Sequence, residues 1–107
     1  MTDNEINQTI AEACGGADFE TEEHPAITYH WCVLDGVRRI VPDYCHDLNA
    51  MHDAEEALKT GEPQRFVFAL MEMLGAFAPS LGDDYQLIHA TARHRAEAFL
   101  RTVGKWS

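Results

Sequence analysis

The stretch AITYHWCVL-DG-VRRIV, spanning residues 26–41, constrains the fold more than any other part of this chain. Two runs dense in β-branched and aromatic residues flank Asp35-Gly36, a dipeptide suited to a two-residue hairpin turn because both central residues must adopt positive φ. The spacing predicts a β-hairpin, with Ile27, Tyr29, Trp31 and Val33 on one face and Thr28, His30, Cys32 and Leu34 on the other. Both faces carry apolar residues, so both are expected to be covered.

Helical signals surround the hairpin. Ile6, Ile10 and Cys14 recur at four-residue spacing after Asp3, the expected cap, and before Gly15-Gly16, the expected stop. After Pro42, Asp43 is expected to cap a second helix whose main row is Leu48, Met51, Glu55 and Leu58. Gly61 ends it, and Glu62-Pro63 opens a third helix, since proline fits a first helical turn. RFVFALMEMLGAF is apolar nearly all round, which suits a helix buried by several neighbours. Within YQLIHA, residues 85–89 read as a short further strand. Thr91 caps a last helix that buries Ala96, Phe99, Leu100 and Val103 before Gly104. The expected fold is therefore α+β: one domain over residues 1–107, with a small antiparallel sheet packed by helices.

Charge narrows the function classes. The net charge is -10, and residues 1–37 hold eight carboxylates without a lysine or arginine. Such a surface repels a phosphate backbone, so duplex nucleic acid is not an expected partner. From Arg38 onward ten acids face eight bases, four of them in the last fifteen residues, which directs any anion site to the C-terminal half. No apolar run approaches the roughly 18 to 20 residues that cross a bilayer, and the polar start is unlike a secretory leader, so a cytoplasmic protein is expected. Three cysteines without CxxC spacing read as reduced thiols.

Chemistry-bearing residues concentrate in PDYCHDLNAMHDAEEAL, residues 42–58. Cys45, His46, Asp47, His52 and Asp53 are all metal-ligand types, but zinc sites usually carry paired motifs such as HExxH, and none is present. No metal and no cofactor are expected. Cys45 and His46 are neighbours that diverge by about 100 degrees on a helix, so they form no aligned nucleophile and base. With no GxSxG, Walker loop or GxGxxG, the chain reads as a non-catalytic protein. Arg93, Glu97 and Arg101 form an i, i+4, i+8 row that fits either a phosphate contact or a solvated salt-bridge ladder. The first-turn N–H groups after Thr91 add a potential anion cradle.

PDYCHDLNAMHDAEEAL, together with HATARHRAEAFLRTVGKW and the N-terminal IAEACG, resembles a recurrent set of segments in small phage and prophage proteins. The layout is similar to the phage ABA-sandwich domain. The resemblance covers residues 5–15, 37–58 and 89–106; residues 59–86 depart from it, and Gly16 replaces a common tryptophan. It implies an antiparallel sheet between helices and assigns Asp43, Asp47, Leu48 and Met51 mainly architectural roles. Because some similar proteins are counter-defence sponges, it also implies sequestration of a cyclic nucleotide or related small phosphorylated ligand, in a pocket often built by a homo-oligomer. Arg38, Arg39, Tyr44, Arg93 and Arg101 are the ligand candidates under that reading. The alternative is an acidic inhibitor or DNA mimic that binds a host protein through the first third of the chain.

Overall fold

The computed structural model describes residues 1–74 and 90–107. Its elements, in chain order, are α1 (Asp3–Ala13), β1 (Ala17–Glu23), β2 (Thr28–Leu34), β3 (Val37–Ile40), α2 (Leu48–Glu55), α3 (Glu62–Leu74) and α4 (Ala92–Thr102). The strands form one antiparallel sheet in the order β1-β2-β3. The architecture is α+β, a small sheet packed by helices. The strand expected at residues 85–89 lies outside the described residues.

The hairpin forms as its turn chemistry requires. Asp35 and Gly36 take φ of 54° and 76°, and Leu34 pairs directly with Val37. These positive φ values match the twist of the flanking strands, which a type I turn would splay. β1 is the strand that local reading missed. Its sequence, ADFETEE, is rich in carboxylates, which disfavour isolated strands. Hydrogen bonding to β2 holds it nonetheless, with Glu20 opposite Trp31 and Glu23 opposite Thr28. An irregularity between Ala17 and Glu20, where Asp18 has φ of 53°, turns Phe19 toward the core. Charged side chains suit such an edge because they discourage further strands from adding.

Helix ends follow identifiable caps. α1 starts from Thr2, not Asp3: the Thr2 hydroxyl accepts from Glu5 N, and Glu5 Oε1 accepts from Thr2 N, a reciprocal capping box. At its other end Gly16 N donates to Ala11 O and Gly15 N to Glu12 O, with Gly15 at φ 95°. This double closure satisfies two of the terminal carbonyls. α4 repeats the arrangement through Lys105 and Gly104, and Thr91 caps its start as expected.

α2 begins later than expected. Asp47, not Asp43, is its cap, accepting from Asn49 N and Ala50 N. Asp43 instead accepts from Asn7 Nδ2 at 3.2 Å, while Asn7 Oδ1 accepts from the buried Cys45 N–H. This clasp ties the 43–47 turn to α1. The later start leaves Leu48 41% exposed in the first turn, whereas Met51 is fully buried. Leu48 therefore does not join the expected row.

The core is built mainly from the facing sides of α1, α3 and α4. Ile6 and Ile10 meet a cluster with Phe66, Leu70, Ala96, Phe99 and Leu100, joined by Met51 and Ala54 of α2. α3 is less enclosed than its apolar sequence suggests. Phe66 and Leu70 are buried, but Phe68 is 66% exposed and Val67 is exposed with it. On the sheet, Cys32 and Leu34 are buried while Tyr29, on the opposite face, remains 37% exposed. One sheet face serves the core, and the other stands open beside it.

Candidate functional site: an acidic, aromatic sheet face

The open face is assembled by strand register. Cross-strand partners share a face, so Glu22 pairs with Tyr29, Glu20 and Ile40 flank Trp31, and Arg38 lies opposite Val33. Trp31 is the centre of the group. Its Nε1 donates to Glu22 Oε2 at 2.9 Å, and the Arg38 guanidinium carbon lies 4.2 Å from its ring centroid. Arg38 Nη2 also reaches Glu20 Oε2 at 3.5 Å, a long contact between exposed groups. Tyr29 packs its ring 6.4 Å from that of Trp31 and meets His24 edge-on at 5.7 Å.

Glu22 is held in place from two sides. His24 Nε2 lies 2.6 Å from its Oε1, and Trp31 binds the other oxygen. Hydrogen bonding to His24, and then to Trp31, lowers its carboxyl below the usual carboxylate range. Glu22 is consequently ionised at neutral pH and oriented by the indole. The same face carries exposed Glu20 and Glu22 and exposed Ile27 and Ile40 beside the aromatic pair, while exposed Asp18 and Glu23 add charge along the β1 edge. It combines negative charge, aromatic faces and apolar flanks, a chemistry suited to cationic and amphipathic partners.

The residues expected to hold a phosphorylated ligand are not gathered by either of two grooves formed among the described residues. The larger, about 780 Å³, lies between α1 and the sheet and includes Asp3, Glu5, Glu20, Asp43, His30 and His46, with no lysine or arginine in its lining. Its charge opposes a phosphate. The smaller, about 430 Å³, contains Arg39 and Tyr44, but Asp35, Asp47 and Asp53 surround them.

Tyr44 is set more deeply than the other expected ligand residues. It is only 3% exposed and belongs to the core cluster, where burial raises its hydroxyl well above the ordinary tyrosine range. Arg39 lies opposite Cys32, on the other side of β3 from Arg38. Arg93 contacts Asp3 at 3.3 Å and Glu97 at 4.0 Å, while Arg101 contacts Glu97 at 2.9 Å. Both guanidinium groups also approach the Trp106 ring, at 5.5 and 5.9 Å. The Arg93-Glu97-Arg101 row is thus the surface ladder that its spacing allowed. At the start of α4, the Thr91 hydroxyl already accepts from His94 N.

The cysteine and histidine cluster is dispersed in the same way. Cys45 is buried, its thiol contacts Asp3 O at 3.8 Å, and burial pushes its pKa up to about 11. His46 is directed to Asp43 and Asp3. Cys45 therefore has the environment of an inert core thiol, not an activated nucleophile. Among the described residues, no group of three or more histidine, cysteine or acidic side chains is placed to hold a metal ion.

Sequence reading named the two aromatics but placed them as core residues, and it missed the face they build. The available signal was the pairing of alternate Tyr29 and Trp31 with alternate Glu20 and Glu22, which becomes visible only once ADFETEE is read as a strand. Comparison of the chain with family models, curated proteins and solved structures finds no match to any of them.

Proposed function

We propose that this chain is a non-catalytic binding protein that engages a basic protein through the open sheet face and its acidic β1 edge. The observation that carries this reading is the exposed pair Glu20 and Glu22 beside Tyr29, Trp31 and Ile40 on one face, with the further exposed carboxylates Asp18 and Glu23 elsewhere along the β1 edge. Negative charge provides attraction at a distance, and aromatic and apolar groups provide short-range contact area. The resemblance to small phage proteins directs the search to a bacterial host protein. Sequestration of a cyclic nucleotide is the weaker reading, because Arg38, Arg93 and Arg101 are engaged by carboxylates, Tyr44 is buried, and neither groove collects the set.

The test is capture from bacterial lysate on immobilised protein, at low and high salt, with bound proteins identified by mass spectrometry. A basic protein should bind at low salt and be released as salt rises, because exposed charges are screened. Glu20→Lys/Glu22→Lys should lose this partner, whereas Glu56→Lys/Glu72→Lys, with the same change of net charge on exposed positions away from the sheet, should retain it. Equal loss in both variants would leave only nonspecific attraction, and binding indifferent to salt would refute the charge-based reading.

A further inference from the structure

We infer that Trp31, flanked by Glu20 and Glu22, is a seat for a guanidinium group, occupied by Arg38 in the free protein and by an arginine of the basic partner in the complex. The inference rests on the proposed protein-binding reading and identifies the contact at its centre. The seat already displays its preferred occupant: a guanidinium over an indole at 4.2 Å, with a carboxylate at 3.5 Å on one side. The aromatic face attracts the cation, and a planar guanidinium can stack while its edge N–H groups reach carboxylates.

Two features make Arg38 exchangeable. Its side chain is 54% exposed, and its contact with Glu20 lies at the outer limit of hydrogen bonding. The seat itself is more firmly held, since Trp31 donates to Glu22 and Glu22 is also bound by His24. An incoming arginine would therefore replace like with like on a prepared platform, while Arg38 swings into water on the short β3 edge. Tyr29 and Ile40 lie on the same face and supply apolar contact for the residues around that arginine. The commitment is to an arginine-bearing protein segment. A lysine offers no planar group to stack, and a phosphorylated ligand would meet Glu20 and Glu22.

The two adjacent arginines of β3 provide the test. Arg38→Gln and Arg39→Gln remove the same charge, but only Arg38 covers Trp31. Hexa-arginine and hexa-lysine peptides are titrated by calorimetry, with Trp31 fluorescence read in a Trp106→Phe background and thermal unfolding used to verify each variant. Arg38→Gln should tighten hexa-arginine binding by about two- to fivefold, the range of an exposed cation–aromatic contact, and shift the Trp31 emission. Arg39→Gln should produce a smaller gain without that spectral shift. Trp31→Leu, or Trp31→Phe if the leucine variant does not fold, should weaken the arginine peptide more than the lysine peptide. Equal gains from both glutamine variants, with no preference for arginine, would overturn the seat and leave acidic protein binding standing. Failure of wild type and Arg38→Gln to bind either peptide would overturn the seat and count against the broader reading as well.

Discussion

Arg95 of α4 grips Glu55 of α2 through two hydrogen bonds, Nη2 to Oε1 at 2.6 Å and Nε to Oε2 at 3.2 Å, with both side chains less than one-fifth exposed. The guanidinium also lies 5.6 Å from the Phe66 ring of α3, so one residue links three helices. Such a pair fixes relative helix placement by geometry, while its net stabilisation is reduced by the desolvation of both charges.

Removing one member should be costly and replacing both should not. Arg95→Ala or Glu55→Ala is expected to destabilise the fold by on the order of 3 kcal/mol, because each leaves a poorly solvated charge. Arg95→Met with Glu55→Leu should recover most of that loss. Urea unfolding of the three variants measures the difference, and a double variant as unstable as the worse single one would contradict this account.

Asn7 is the second tie between distant segments. Its side chain donates to Asp43 and accepts from the buried Cys45 N–H. Asn7→Ala should cost about 1–3 kcal/mol, chiefly because a buried N–H loses its acceptor. Asn7→Asp retains that acceptor but loses the amide donor and sets a new carboxylate against Asp43, so it too should destabilise, by an amount that shrinks as added salt screens the repulsion. Thermal unfolding at low and high salt reads both effects.

Gly16 has little room for a side chain. A Cβ there would lie 2.7 Å from the Ala11 carbonyl oxygen, the same oxygen that accepts the Gly16 N–H. Gly16→Ala should destabilise by about 1–3 kcal/mol, the range for an overpacked site, and Gly16→Trp should cost at least as much. A stabilised Gly16→Trp protein, measured by denaturant midpoint, would show that this helix end relaxes more easily than the contact suggests.

Alkaline stability should reflect Cys45. Burial raises its pKa from 9.0 to about 11, so the folded state binds the thiol proton more tightly than the unfolded chain does. This contribution is fully present below about pH 9 and is lost as pH rises toward 11. Cys45→Ala should flatten the fall in melting temperature across that interval, and native Cys45 should resist iodoacetamide at pH 8. Prompt alkylation at that pH without unfolding would refute the inert-thiol assignment.

Several features were legible locally. Asp35-Gly36 requires positive φ at two successive residues, and the flanking apolar alternation defines the hairpin. Thr91, the Ala96/Phe99/Leu100 stripe and Gly104 likewise mark the last helix, and each of those three side chains in the stripe is buried. The Thr2-Asp3-Asn4-Glu5 order also contained the capping box, although Asp3 is by residue type an equally good cap. In these cases the deciding interactions join residues within a few positions of one another.

The remaining features depended on distant partners. Asp43 and Asp47 are equally suitable helix caps by residue type, and the bond from Asn7, 36 residues away, commits Asp43 elsewhere. ADFETEE has weak strand propensity by itself and gains its ladder from β2. Arg38 is a ligand candidate by residue type, but its position over Trp31 follows from β2–β3 register, and the Glu20 beside it comes from β1. The hairpin, the last helix and the acidic first third could be read from residue order alone, because turn stereochemistry, helical periodicity and charge count are local properties. Which carboxylates, aromatics and arginines meet was set by the folded arrangement, because burial and ion pairing depend on separations in space that residue order does not specify.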